Sequence, residues 1–166
     1  VKAVNSEGTS YGSDETFTTT GSSGSSSDLY ISEVSDDNTG GYMTAFMEIY
    51  NKTGSNVDIQ NYYIERWQNN SYDSYTYTFS GSTIVPANGT LIVARGCSET
   101  DFETAWSVDF SDNDKNFDAG HDNLYFTTGR SYKFYDNAKA IVDTTPAVSS
   151  GNRRYQENIG SWTSES

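Results

Sequence analysis

The chain has 166 residues, with 10 Lys and Arg against 23 Asp and Glu, one His, one Cys and a formal net charge of −13. A lone Cys97 excludes an intrachain disulfide framework, and the longest clean apolar run, Leu91–Ala94, is far too short for a membrane-spanning helix. Such acidity repels phosphate and argues against nucleic acid and anionic membranes, while 14% aromatic content supplies ample core material and argues against disorder.

Residues 1–20 stand apart from the rest. Val1–Val4 and Glu15–Thr19 are predicted strands joined by the Gly/Ser-rich turn Asn5–Ser13, and two strands make no stable unit alone. Ala3, Asn5, Gly8, Ser10, Tyr11, Gly12 and Phe17–Thr19 follow a pattern that resembles the last two strands of a fibronectin type III domain. The segment is expected to be the remnant of a neighbouring module, with an unstructured arm as the alternative. Residues 21–28, opening on GSSGSSS, read as a flexible linker. No basic-then-apolar leader opens the chain, and Val1 reads as a cut into a larger protein.

From residue 29 onward the dominant period is two. Ala45, Met47 and Ile49 alternate with Phe46, Glu48 and Tyr50; Tyr75, Tyr77 and Phe79 alternate with Thr76 and Thr78. Leu91 and Val93 alternate with Ile92 and Ala94, and Tyr132 and Phe134 with Ser131, Lys133 and Tyr135. Alternation sends one set to a core and the other toward solvent. Strands are predicted near 29–34, 44–51, 61–68, 74–80, 89–95, 123–127, 131–135, 139–143 and 153–155. One helix is predicted over 98–106, capped by Ser98, with Phe102 and Trp106 four apart. The class is all-β, an immunoglobulin-like antiparallel β-sandwich with one short helix.

The order of motifs over 29–166 resembles a lamin tail domain of the bacterial surface-protein type. The carriers are Ile31-Ser32-Glu33-Val34, the run from Phe46 to Asn51 (FMEIYN), Val57–Tyr62, Ile84–Val93, Asp122-Asn123-Leu124, Ile141-Val142-Asp143 and a closing Arg153 to Trp162. Gln60-Asn61-Tyr62 departs from the family's Ser-Gly-Trp, and 127–138 reads as an extra hairpin. The resemblance implies a non-catalytic module. Much of it is fold information: Pro86 and Gly89 set a turn, and Asn51 ends a strand and is placed to satisfy the backbone of the turn 52–56.

Residues with chemistry are few. His121 and Cys97 lack any orienting third group, so a nucleophilic pair is not expected and Cys97 reads as a small buried thiol. One Cys and one His cannot build a zinc site. Glu33 and Glu48 fall on strands expected to be neighbours; a hydrolase would need them beside a sugar cleft. Segment 99–122 carries eight acids against Lys115 alone, more than half of the net charge. Within it Asp112, Asp114, Asn116 and Asp118 alternate as the oxygen ligands of a calcium loop do, although Phe117 stands where the Gly turn belongs and Asn123 where a closing Glu would be. The expectation is no cofactor, or structural calcium at those four residues. Tyr62, Tyr63, Trp67, Tyr72, Tyr75 and Tyr77 crowd adjacent strands, and Trp67, Tyr72 and Tyr75 are the candidate ligand-binding rings.

The functional expectation is a non-catalytic extracellular binding, adhesion or spacer module of a larger secreted or surface protein, working beside neighbouring domains of the same chain. Its ligand is a protein or a glycan, and no nucleic acid or membrane insertion is expected. A carbohydrate-binding module appended to a hydrolase, with or without calcium, is the alternative.

Overall fold

The computed structural model describes residues 2–5, 8–11, 28–35, 44–111, 115–126, 129–147, 153–156 and 162–165. Near the N-terminus β1 (Lys2–Asn5) and β2 (Gly8–Tyr11) form their own two-stranded antiparallel sheet, with Asn5 opposite Gly8. Gly8–Tyr11, expected within a turn, is thus a strand, and the strand expected over 15–19 lies outside the described residues, as does the linker up to residue 27.

Two sheets enclose the core. The larger contains β3 (Leu29–Ser35), β4 (Phe46–Asn51), β9 (Thr90–Ala94), β10 (Lys115–Asp118), β13 (Arg153–Gln156) and β14 (Trp162–Glu165), in the order β10-β9-β4-β3-β13-β14. The smaller contains β6 (Tyr63–Gln68), β7 (Ser71–Thr78), β11 (Arg130–Tyr135) and β12 (Ile141–Thr144), in the order β12-β11-β6-β7. A short pair, β5 (Val57–Asp58) and β8 (Ile84–Val85), forms a two-stranded sheet of its own, with Val85 in the main core. Pairing is antiparallel throughout the described sheets except between β10 and β9, which run parallel.

The alternation places Ile31, Val34, Met47, Ile49, Leu91 and Val93 of the larger sheet against Ile64, Tyr132 and Phe134 of the smaller one. All nine are fully buried or nearly so, which removes apolar surface from water at about 25 cal/mol per Å². Two polar residues stitch this core. Asn51 is wholly buried; its amide donates to the carbonyls of Ser55 and Pro86 at 2.8 and 2.9 Å, and its oxygen accepts from the Thr53 amide and hydroxyl. The expected role of Asn51 in the 52–56 turn is what the structure contains. Asp143 on β12 reaches across the sandwich and accepts from the Ile31 amide at 2.9 Å, where β3 shifts register.

The larger sheet buries apolar residues on part of its outer face as well, where α1 (Glu99–Trp106) roofs it. Ser98 caps α1 by accepting from the Asp101 amide at 3.2 Å. Phe102 and Trp106 meet Phe46 edge-on, each with ring centroids 5.4 Å apart, and with Ile92, Ala94 and Cys97 they make a second small core. Cys97 is the buried thiol expected, and burial pushes its pKa up. His121 instead stacks at a tilt on Tyr75, 5.7 Å between centroids.

Three local expectations need correction. Residues 115–118, read as part of a loop, form β10, because Phe117 pairs beside Ile92 and buries against Phe102 and Phe110. The strand expected over 123–127 is replaced at its described positions by a 3-10 turn, Asp122–Leu124, after which Tyr125 turns left-handed at φ 39°. His121 Nδ1 caps that turn by accepting from the Asn123 amide, which diverts the backbone from sheet pairing. The segment 127–138, read as an extra hairpin, contributes instead the strand expected over 131–135, which as β11 lies between β6 and β12 as an integral part of the sheet. The turn that follows β11 is built on Asp136, whose carboxylate accepts from the Ala138 and Ala140 amides.

Candidate functional site

The outer face of the smaller sheet carries the site. Antiparallel register sets Tyr63 opposite Tyr135 and Glu65 opposite Lys133 across β6 and β11, and Trp67 opposite Tyr72 across β6 and β7. Side chains at these spacings on one face touch their neighbours and diagonals. Tyr63 and Tyr135 stack with centroids 4.7 Å apart and planes 8° from parallel. Lys133 Nζ lies 3.4 Å from the centre of the Trp67 ring, a cation held on a π face. Trp67 Nε1 donates to Glu65 Oε2 at 3.0 Å, and Tyr72 meets the Trp67 ring edge-on at 6.2 Å. Tyr72 is 46% exposed, the most open ring of the group.

Glu65 ties the patch together. Burial, then a hydrogen bond to Glu65 and the Glu65 charge, push the Tyr135 phenol up to about 12. Tyr63 is raised by burial first and then by the charges of Glu65 and Asp136. Both phenols therefore stay protonated donors at physiological pH. One carboxylate and one ammonium leave the patch without net charge on a chain of −13.

Of the three candidate rings, the structure brings Trp67 and Tyr72 together and sends Tyr75 elsewhere. Alternation separates them: Tyr75, three residues from Tyr72 on β7, pairs with Arg66, which points inward and is only 9% exposed. The Arg66 guanidinium sits over Tyr75 at 5.4 Å and over Tyr125 at 4.9 Å, and Arg95 covers Tyr125 at 4.7 Å. Arg66 and Arg130 both donate to Asp73 Oδ2, at 2.7 and 2.8 Å, and Arg66 also donates to the Asn123 carbonyl. Burial raises the Asp73 carboxyl, but the hydrogen bonds from Arg130 and Arg66 outweigh it and hold the pKa below the ordinary 3.8. Tyr75 thus belongs to a clasp at one end of the sandwich. Tyr62 packs on Phe134 and Tyr77 on Phe79, so half of the six crowded rings face the interior, as alternation requires.

Asp112 and Asp114 lie outside the described residues. Asn116 and Asp118 are on β10. The Asn116 amide donates to the Ile84 carbonyl at 2.6 Å, and Asp118 Oδ1 accepts from the Tyr77 hydroxyl at 2.5 Å and the Gly120 amide at 2.7 Å. Burial, and then Asp118, push the Tyr77 pKa up. Among the described residues no group of three or more His, Cys, Asp and Glu gathers as a metal site. Glu33 and Glu48 are direct partners across β3 and β4, and both line a cavity of about 150 Å³ beside α1.

Residues 22–148 match the Lamin Tail Domain. The chain belongs to the lamin tail domain family. No curated protein matches it. The lamin tail domain is an immunoglobulin-like, non-catalytic module, which agrees with the two packed sheets. In this lamin tail domain β13 and β14 extend the larger sheet beyond the matched segment. Among the described residues no helix is long and apolar enough to cross a membrane. Glu65, Lys133 and Tyr135 were not singled out by the sequence reading. The available signal was alternation in β11, which set Lys133 and Tyr135 opposite the core pair Tyr132 and Phe134 without revealing that they meet Trp67 and Tyr63.

Proposed function

We propose that this lamin tail domain is a non-catalytic binding or adhesion module of a larger secreted or cell-surface protein, and that the outer face of its smaller sheet meets the ligand. The observation that carries the reading is the Tyr63–Tyr135, Glu65–Lys133 and Trp67–Tyr72 ladder on a sheet face with no element described over it. Trp and Tyr with a desolvatable hydrogen-bonded network are the side chains that dominate protein interfaces. A protein ligand is favoured over a glycan by ring geometry. A sugar platform needs open, coplanar ring faces, whereas Tyr63 and Tyr135 cover each other and Lys133 covers Trp67. The fibronectin-like pattern of 1–20 and the Ser/Gly linker support an extracellular, multidomain setting.

The test pairs the wild-type chain with Trp67→Ala/Tyr72→Ala on parallel arrays of immobilised surface and matrix proteins and of glycans. Saturable protein binding lost in the variant, which remains cooperatively folded at the assay temperature, is the expected result. Binding confined to glycans would replace this reading with the carbohydrate-binding one, and catalysis on a broad substrate panel, lost in Glu48→Gln, would replace it with a hydrolase.

A further inference from the structure

The opposite side of the molecule holds a second feature that the sheet-face reading does not use. Between α1 with its following segment and the outer face of the larger sheet lies a cavity of about 150 Å³. Its walls are Phe46, Ile92, Phe102, Trp106 and Phe110, and its polar groups are Glu33, Glu48 and Lys115. A cavity of this size accepts a ligand of about six apolar heavy atoms.

Antiparallel register sets Glu33 directly opposite Glu48. Like charges at such positions repel, and more strongly beside apolar walls than in water. One Glu48 oxygen accepts from the Ser32 hydroxyl at 2.5 Å, which fixes that carboxylate at the cavity. Lys115 supplies one positive charge against two negative ones. The aromatic walls offer π faces, and two carboxylates flank them. This combination recognises an organic cation, through its charge and its alkyl groups together.

We infer that the cavity beside α1 binds a small organic ammonium, with the charged nitrogen at Glu33 and Glu48 and the alkyl part among Phe46, Phe102, Trp106 and Phe110. The charge pattern selects a cation, the volume selects a small one, and the aromatic lining selects an alkylated one over a bare metal ion. Lys115 is the chain's own alkylammonium at this cavity, so it competes with the ligand.

The experiment is an NMR titration of the isotope-labelled chain with n-butylammonium, n-butanol and pentanoate, following the amides of Glu48, Ile92 and Phe110 at the cavity and of Trp67 on the far face. Butylammonium is expected to shift the cavity amides, not Trp67, and to bind about tenfold more tightly than the neutral isostere. Glu33→Gln and Glu48→Gln, made singly and checked for unchanged melting temperature, are expected to abolish that preference. Lys115→Met is expected to tighten butylammonium binding by a similar factor. Equal binding of the amine and the alcohol overturns the proposal, as do shifts centred on Trp67 or binding that survives both glutamine variants. Binding of a lysine-containing peptide but not of butylammonium overturns it in favour of a protein surface. A failed array experiment on the Trp67 face leaves this result unaffected.

Discussion

On the larger sheet the outward side chains Phe46, Ile92 and Ala94 are roofed by α1, whereas on the smaller sheet Tyr63, Trp67 and Tyr135 face outward with no described element above them. The strands beneath are built alike, with period two and an apolar inner row. The difference arises from eight residues of helix. Directly under the roof, the outward positions Phe46, Ile92 and Ala94 carry plain hydrocarbon and become core, with Glu33 and Glu48 at the margin. Where none exists, outward positions carry aromatics with polar tips, three of which are satisfied by a neighbour: the Trp67 indole and the Tyr135 hydroxyl by Glu65, the Tyr72 hydroxyl by Thr76. A face that satisfies its own hydrogen bonds stays soluble and still offers a large contact area to a partner.

The sharpest way to break this contrast is Phe102→Ala. Phe102 is 3% exposed and touches Phe46, Trp106, Phe110 and Phe117, so its truncation should cost about 3–5 kcal/mol in denaturant unfolding. An equally large effect from Trp67→Ala would erase the distinction between roofed and open faces. Next in size is the Arg66–Asp73–Arg130 clasp beneath the open face. Asp73→Asn leaves the buried Arg66 without its counter-charge and should destabilise by about 1–3 kcal/mol at neutral pH. Because the folded-state pKa of Asp73 lies below 3.8, that stabilisation is present above the ordinary carboxylate value and fades as pH falls through the lowered one. The melting-temperature gap between wild type and Asp73→Asn should therefore be constant down to the ordinary carboxylate value of 3.8, shrink as pH falls from there to the lowered pKa, and be closed below it; a gap that is flat through acid would detach Asp73 from the clasp.

Smaller still is the stability effect of Trp67→Ala, about 1 kcal/mol for the cation–π contact and partial burial. Calcium comes last. Since Asp118 already accepts from Tyr77 and Gly120 and Asn116 is tied to Ile84, millimolar calcium is expected to leave the melting temperature unchanged. A rise reversed by chelator would establish a cation at 112–118.

The sequence made legible whatever depended on period and punctuation. Met47 and Ile49 inward, Ser98 as a cap, Phe102 and Trp106 on one helix face and Asn51 in the turn after its strand are all local consequences of residue type. What escaped was decided by distant partners. The sequence Lys115–Asp118 has a single apolar residue, and only the presence of β9 beside it makes it a strand. Asp122–Leu124 looks like the start of a strand until His121 caps it. Of the candidate site, Trp67 and Tyr72 were legible as aromatics, and the period of two that groups Tyr75 with Tyr77 and Phe79 already set it on the other face; what no spacing announces is the irregularity between Arg66 and Trp67 that brings Tyr72 opposite Trp67. Glu33 opposite Glu48 was legible because both motifs are strands of consecutive order; the aromatic cavity beside them required the helix to be in place.

The pairing of Glu65 with Lys133 has a kinetic consequence. The patch is an electrically neutral window in a chain of net charge −13, so an acidic partner must cross a repulsive field to reach contacts that contain almost no repulsion. Added salt screens the approach beyond about 10 Å and leaves the contacts nearly untouched. Association through this window would accelerate with ionic strength while dissociation stayed constant, the reverse of what a charge-steered interface does.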